Sequence, residues 1–221
     1  MIVEENVIIQ TPYTSVRTGA TITYILETIK KSPVYFKLAL TNPKLVKPLN
    51  ENKLTQILVE QINALLIKTG ASILAQTQYS DVFLGSKGIP DFYFQKVEKG
   101  QTNAPLFIVE AKILPAPPPK EREKEYVIGN NKNGGIERFK IEKHGKGLSE
   151  CGMIGFIGKE NCIFWKTIIN NWIEDLSKSD STWNKNESLK ELENQTEFMY
   201  LNSVAHRTTS SDILLHHFWV K

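Results

Sequence analysis

Two periods of hydrophobic and polar residues divide this chain into elements. Over residues 50–66, Leu54, Leu58, Ile62 and Leu65 recur at about 100° per residue and form one apolar stripe, the signature of an amphipathic helix. Asn50 can cap its start and Gly70 can end it. Residues 89–94 and 106–112 are instead short, apolar, β-prone runs, joined by the polar, Gly-containing stretch 97–103. That order predicts a hairpin. If the turn centres on Gly100 and Gln101, residues whose numbers sum to about 201 lie opposite one another, which sets Asp91 across from Glu110.

The remaining pattern is coarser. Residues 2–10 have strand character, and residues 20–31 read as a short helix with Ile22, Ile25 or Leu26, and Ile29 on its apolar face. Pro33, Pro43 and Pro48 are expected to punctuate the link to the next helix. A strand is predicted over 72–80, ahead of the hairpin, and prolines 115 and 117–119 make a stiff exit loop after it. A buried strand follows at 152–158, its glycines allowing close backbone approach. Behind it lies a long amphipathic helix carrying Phe164, Trp165, Ile168, Ile169, Trp172, Ile173 and Leu176. Residues 198–206 and 213–220 read as two last strands. No repeat or long linker divides the chain, so its 221 residues read as one domain: an extension over 1–48, a core over 50–176 and C-terminal strands over 196–221.

Charge inside the two hairpin runs is the informative anomaly. Ionised side chains are rarely buried unless paired or bound to metal, yet Asp91, Glu110 and Lys112 interrupt core-like sequence. Glu110 and Lys112 point to one face of their strand, and Ala111 points to the other. With Asp91 opposite, two carboxylates stand roughly 5 Å apart at Cβ and repel unless a cation lies between them. Hard oxygen ligands of this kind favour Mg²⁺ or Mn²⁺ over zinc. Helical phase adds a third carboxylate, because Glu51 falls on the axis of the apolar stripe while Glu60 falls on the solvated face. Helix capping through the N-terminal dipole is the other role open to Glu51.

Pro90-Asp91 followed by Glu110-Ala111-Lys112 resembles the signature of the PD-(D/E)XK nuclease superfamily, over about residues 50–175. The resemblance implies an α/β, restriction-endonuclease-like fold, a mixed β-sheet flanked by helices on both faces. It also implies a Mg²⁺-dependent endonuclease that hydrolyses phosphodiester bonds, with Mn²⁺ as a substitute. Asp91, Glu110 and the Ala111 carbonyl are then the metal ligands, Glu51 orients water or a second ion, and Lys112 positions the attacking water. DNA is the favoured substrate, as in a restriction or prokaryotic defence enzyme. An RNase on the same fold, acting for example on tRNA, and a non-catalytic nucleic-acid-binding or protein-interaction module are the alternatives. An exposed hairpin with an ordinary surface ion pair would explain the same residues, but Phe107, Ile108 and Val109 argue for a core strand.

Composition changes little. Net charge is only +3, with 41% hydrophobic and 23% charged residues. Residues 120–146 hold eight Lys or Arg against five Glu, enough to follow a phosphate backbone or simply to solvate a surface. Within them the Gly-rich loop 129–135 can present N–H groups to a phosphate, although an ordinary turn is the stronger reading and no Walker pattern is present. Lys132, Arg138, Lys140, His206 and Arg207 are the candidate nucleic-acid contacts. His144 has no identifiable partner. His216 and His217 are adjacent on a strand, so they face opposite ways and cannot easily share an ion. Cys151 and Cys162 read as buried free thiols. No secretory signal and no membrane-length apolar run is visible, which points to a cytoplasmic protein without a membrane partner. A two-fold homodimer would account for cutting both strands of a duplex.

Overall fold

Asn50 caps the helix that the sequence marks most clearly. In the computed structural model, which describes residues 14–221, with side chains from residue 19 on, the Asn50 side chain accepts the Lys53 N–H at 3.0 Å. The helix it starts, α2, runs Glu51–Lys68 and buries Leu58, Ile62 and Leu66, and Gly70 follows in the left-handed region at φ +67°. The strand expected over 2–10 lies outside the described residues.

Helix α1 spans Thr14–Leu40, longer than the 20–31 segment expected, and it passes straight through Pro33. Proline cannot donate to the carbonyl one turn back, which here is Ile29. The Ser32 hydroxyl donates to that carbonyl at 2.8 Å instead. Ile22, Ile25, Ile29 and Phe36 continue one buried stripe on both sides of the proline, so packing carries the helix across it.

Seven strands form one mixed sheet: β1 (Ile73–Thr77), β2 (Phe92–Lys96), β3 (Phe107–Leu114), β4 (Glu150–Ile157), β5 (Lys190–Gln195), β6 (Phe198–Ala205) and β7 (Ile213–Val220). Their spatial order is β1-β2-β3-β4-β7-β6-β5. The central β3, β4 and β7 are parallel and the flanks antiparallel. The centre is buried on both faces and reads as near-continuous apolar sequence. The hairpin has the predicted register: Phe92 pairs with Val109, Tyr93 with Ile108, and Phe94 with Phe107. Gly155 of β4 faces the Trp219 ring so closely that a Cβ would lie 2.4 Å from it, the close approach expected of this strand's glycines.

Helices α1 and α2 cover one face of the sheet. The short α3 (Gly135–Lys140) and α4 (Cys162–Ser179) contribute to the core on the other. The protein is therefore α/β, with a mixed sheet between helical layers. Trp165 and Trp172 of α4 are core residues, and Cys151 and Cys162 are buried and free. Strand β5 is absent from the sequence reading; Lys-Glu-Leu-Glu-Asn-Gln carries no alternation to reveal an exposed edge. Among the described residues no helix is long and apolar enough to cross a membrane.

Candidate active site

Strand β3 sends Phe107, Val109 and Ala111 into the core beneath α1 and α2, and Ile108 and Leu114 into the core on the α3 and α4 side. Glu110 and Lys112 share the second face, as strand alternation requires, and both are buried. Lys112 Nζ donates to Glu110 Oε1 at 2.8 Å and to the Ala111 carbonyl at 2.9 Å. It also reaches Glu51 Oε1, at 3.3 Å, on the first residue of α2. The second oxygen of Glu51 accepts the Ile113 N–H at 3.2 Å, so the helix start is tied to the strand. Glu60 takes the Gln56 amide on the exposed side of α2, where helical phase puts it.

Asp91 stands one residue before β2, at the end of the ladder. Continuing the register places it beside Glu110. Its Oδ2 accepts the Ala111 N–H at 2.7 Å, a contact to the backbone between the two charged residues of β3. Asp91, Glu110, Lys112 and Glu51 are thus brought together.

Their protonation differs in instructive ways. Burial alone would raise the Glu110 carboxyl, but Lys112, His144 and Arg138 outweigh it and hold it down at about 2. Asp91 has no cation of its own, so burial and the neighbouring Glu110 charge push it up to about 7. Burial likewise raises Glu51, against the pull of Lys112. Burial works to strip the Lys112 proton, yet Glu110, Glu51 and Asp91 together keep it above the usual lysine range.

Among the described residues no group of three or more His, Cys, Asp or Glu is arranged to hold a metal ion. The Lys112 ammonium lies among the oxygens that a cation would use. Those oxygens belong to Glu110, Glu51 and the Ala111 carbonyl, with Asp91 alongside, and hard donors of this type suit Mg²⁺ or Mn²⁺. Glu110 Oε2 is buried and accepts no hydrogen bond, an orphaned acceptor whose chemistry suits a cation.

Two further groups face Glu110. Arg138, from α3, donates through Nη1 to Glu110 Oε1. His144 sets Nε2 at 3.1 Å from Glu110 Oε2 and 3.4 Å from Arg138 Nη1, and its Nδ1–H donates to the Lys143 carbonyl at 3.0 Å. The ring is almost fully buried. Gly88, in the loop before β2, makes room for it: a Cβ there would lie 2.4 Å from the Lys143 carbonyl oxygen and 2.5 Å from the imidazole. Nothing in the sequence around His144 announced this role, because its partner is far away in the chain and the intervening loop has no period.

The other candidate nucleic-acid contacts divide. Lys140 is buried against Glu187 and lies 4.5 Å from the Trp183 ring centre, which withdraws it from the surface. Lys132 and His206 line a separate cleft of about 210 Å³ with Lys140 and Trp183. His206 also pairs with Asp212 at 2.7 Å. Arg207 is buried and donates to three carbonyls, Phe139 at 3.0 Å, Gly145 at 2.9 Å and Leu148 at 3.1 Å. It latches the loop that carries His144. The 129–135 loop turns inward, since its Gly129 and Gly134 N–H groups both donate to Glu137 Oε2. His216 bonds Tyr200 and Glu150, whereas His217 bonds Tyr126 and Ser203, so the two rings do face apart.

No family model matches this chain, and neither does any curated protein or solved structure.

Proposed function

We propose that this protein is a Mg²⁺-dependent endonuclease of the PD-(D/E)XK type with a restriction-endonuclease-like fold, acting on DNA. The observation that carries the reading is the convergence of Asp91, Glu110 and Lys112 from one hairpin with Glu51 from the start of α2. A surface ion pair would not be buried to this degree, nor would it draw in a third carboxylate from another element.

Glu110, Asp91 and the Ala111 carbonyl would hold the cation, and Glu51 would complete or orient its surroundings. A divalent ion there supplies Lewis acidity toward a phosphoryl oxygen and makes a neighbouring water more acidic. Lys112, released from Glu110 Oε1, donates hydrogen bonds toward the attacking water and the charge that develops on phosphorus oxygens. Water attacks in line, the P–O3′ bond breaks, and the departing oxygen takes up a proton. The products are a 5′-phosphate and a 3′-hydroxyl. Asp91, whose proton is held up to about 7 by burial and by Glu110, would give up that proton to a bound cation.

The test is incubation with plasmid, linear and single-stranded DNA and with tRNA, in Mg²⁺, Mn²⁺ or EDTA. Metal-dependent cutting of DNA that disappears in Asp91→Ala supports the proposal. Cutting of tRNA alone moves the substrate to RNA. Undiminished cutting by folded Asp91→Ala protein overturns the site.

A further inference from the structure

Glu110 Oε1 receives two cations, Lys112 at 2.8 Å and Arg138, while Oε2 of the same carboxylate has no hydrogen-bond donor. An arginine that served only to brace a carboxylate would be expected to use both oxygens with its fork. Arg138 uses Nη1 alone. Among the described residues its Nε and Nη2 make no hydrogen bond. The Arg138 side chain is 22% exposed where the Glu110 side chain is fully buried, so the guanidinium reaches from the solvent edge to the base of the site. It hangs from α3, a helix of six residues, so it is carried on a short element rather than on the sheet.

We propose that Arg138 is a phosphate ligand held in reserve, guarding Glu110 in the resting protein and passing to the substrate phosphate when a divalent cation takes Glu110. The proposal rests on the nuclease reading of the site. A divalent ion on Glu110 takes over the neutralising of this carboxylate and sets a second positive charge against the guanidinium, so entry of the ion displaces the arginine. A planar, permanently charged fork released beside that ion matches the geometry of a phosphodiester. His144 packs beside both groups, its Nε2 3.4 Å from Nη1 and 3.1 Å from Glu110 Oε2. Lys112 and Arg138 then have different duties, the first toward the attacking water and the second toward the non-bridging phosphate oxygens.

The experiment compares Mn²⁺ binding, by calorimetry on metal-stripped protein, with cleavage at saturating Mn²⁺ for wild type, Arg138→Met, Arg138→Lys and Asp91→Asn. Competition predicts that Arg138→Met binds Mn²⁺ at least about fivefold more tightly than wild type. Loss of the phosphate ligand predicts that the same variant cleaves about a hundredfold more slowly once metal is saturating. Arg138→Lys should fall between the two in both measurements. A purely structural arginine would move both readouts downward together. Folding is checked by the thermal midpoint, and both readouts are taken at a temperature where each variant is fully folded. Weaker or equal Mn²⁺ binding by folded Arg138→Met overturns the proposal, and so does unimpaired cleavage by it. Asp91→Asn separates the two claims. If it fails to weaken Mn²⁺ binding, the metal site itself is wrong. If it weakens binding as expected and Arg138→Met does not tighten it, only the role of Arg138 falls.

Discussion

Lys112 Nζ lies 2.8 Å from Glu110 Oε1, two residues back on the same face of β3, and both side chains are buried. Strand alternation sets the two residues on one face, so each is within the other's reach. The ammonium thereby fills the position between Glu110, Glu51 and the Ala111 carbonyl that a divalent ion would need. One lysine neutralises the site at rest, and on the proposed reading a metal would turn its hydrogen bonds toward the substrate.

Lys112→Met should therefore act on stability and activity in separable ways. Removing one partner of a buried pair leaves Glu110 with Arg138 and His144 only, and should destabilise the metal-free protein by about 3 kcal/mol. Saturating Mn²⁺ should recover much of that loss, whereas cleavage should stay down by about a hundred- to a thousandfold. Urea denaturation with and without Mn²⁺, beside a cleavage assay, measures both. Full activity of the variant at saturating metal would remove Lys112 from the chemistry.

The carboxylates give the metal-free protein a defined pH response. Asp91 is pushed up to about 7 in the fold, above its usual 3.8, so the folded state holds this proton more tightly than the unfolded chain. Its contribution to stability is complete below about pH 4 and is lost as the pH rises through about 7. Glu51, also raised, has the same sign. Glu110, lowered to about 2, has the opposite sign and contributes above about pH 4.5, losing that as pH falls toward 2. In EDTA, the thermal midpoint of wild type should drop relative to Asp91→Asn as the pH rises from 5 to 7.5, which runs from inside the window between 3.8 and about 7 to just past it. Parallel profiles for the two proteins would show that Asp91 is not the group responsible.

Much of this site was legible because local rules and the fold agree there. A turn centred on Gly100 and Gln101 fixes the β2–β3 register, alternation fixes Glu110 with Lys112, and helical phase selects Glu51 over Glu60. What escaped depends on contacts between distant segments. His144 reaches Glu110 only because β4 lies beside β3, because Gly88 yields space, and because Arg207 holds the loop from the far end of the chain. Lys140 read as a surface cation until Glu187 and Trp183 enclosed it. Pro33 read as a break because the hydroxyl that takes the Ile29 carbonyl is a tertiary-independent but position-specific remedy, invisible to a general rule about proline. Strand β5 has no buried face of its own and is defined by β6.

The fit between Gly88 and His144 is open to a double-mutant cycle. A methyl group at residue 88 would meet the Lys143 carbonyl at 2.4 Å and the imidazole at 2.5 Å, so Gly88→Ala should destabilise by about 1–3 kcal/mol. His144→Ala relieves the second clash and leaves the first. The two substitutions should then be non-additive by at least about 0.5 kcal/mol in urea denaturation. Strict additivity would mean that the ring does not pack where the structure puts it.

Arg207 offers the sharpest test of how the His144 loop is held. Its three bonds, to Phe139, Gly145 and Leu148, bind the end of α3 to the start of β4 across the loop. Arg207→Met removes all three of these donors at once and should destabilise the protein by about 2–4 kcal/mol. The effect should also be local. Amide exchange should accelerate over residues 139–148, where the Ile141 and His144 N–H groups bond to Glu137 and Arg138, while α4 keeps its protection. Because His144 then loses its fixed place beside Glu110, cleavage at saturating metal should fall about tenfold even at temperatures where the variant is fully folded. Uniform acceleration of exchange across the whole chain would show that Arg207 supports only global stability and has no special hold on the site.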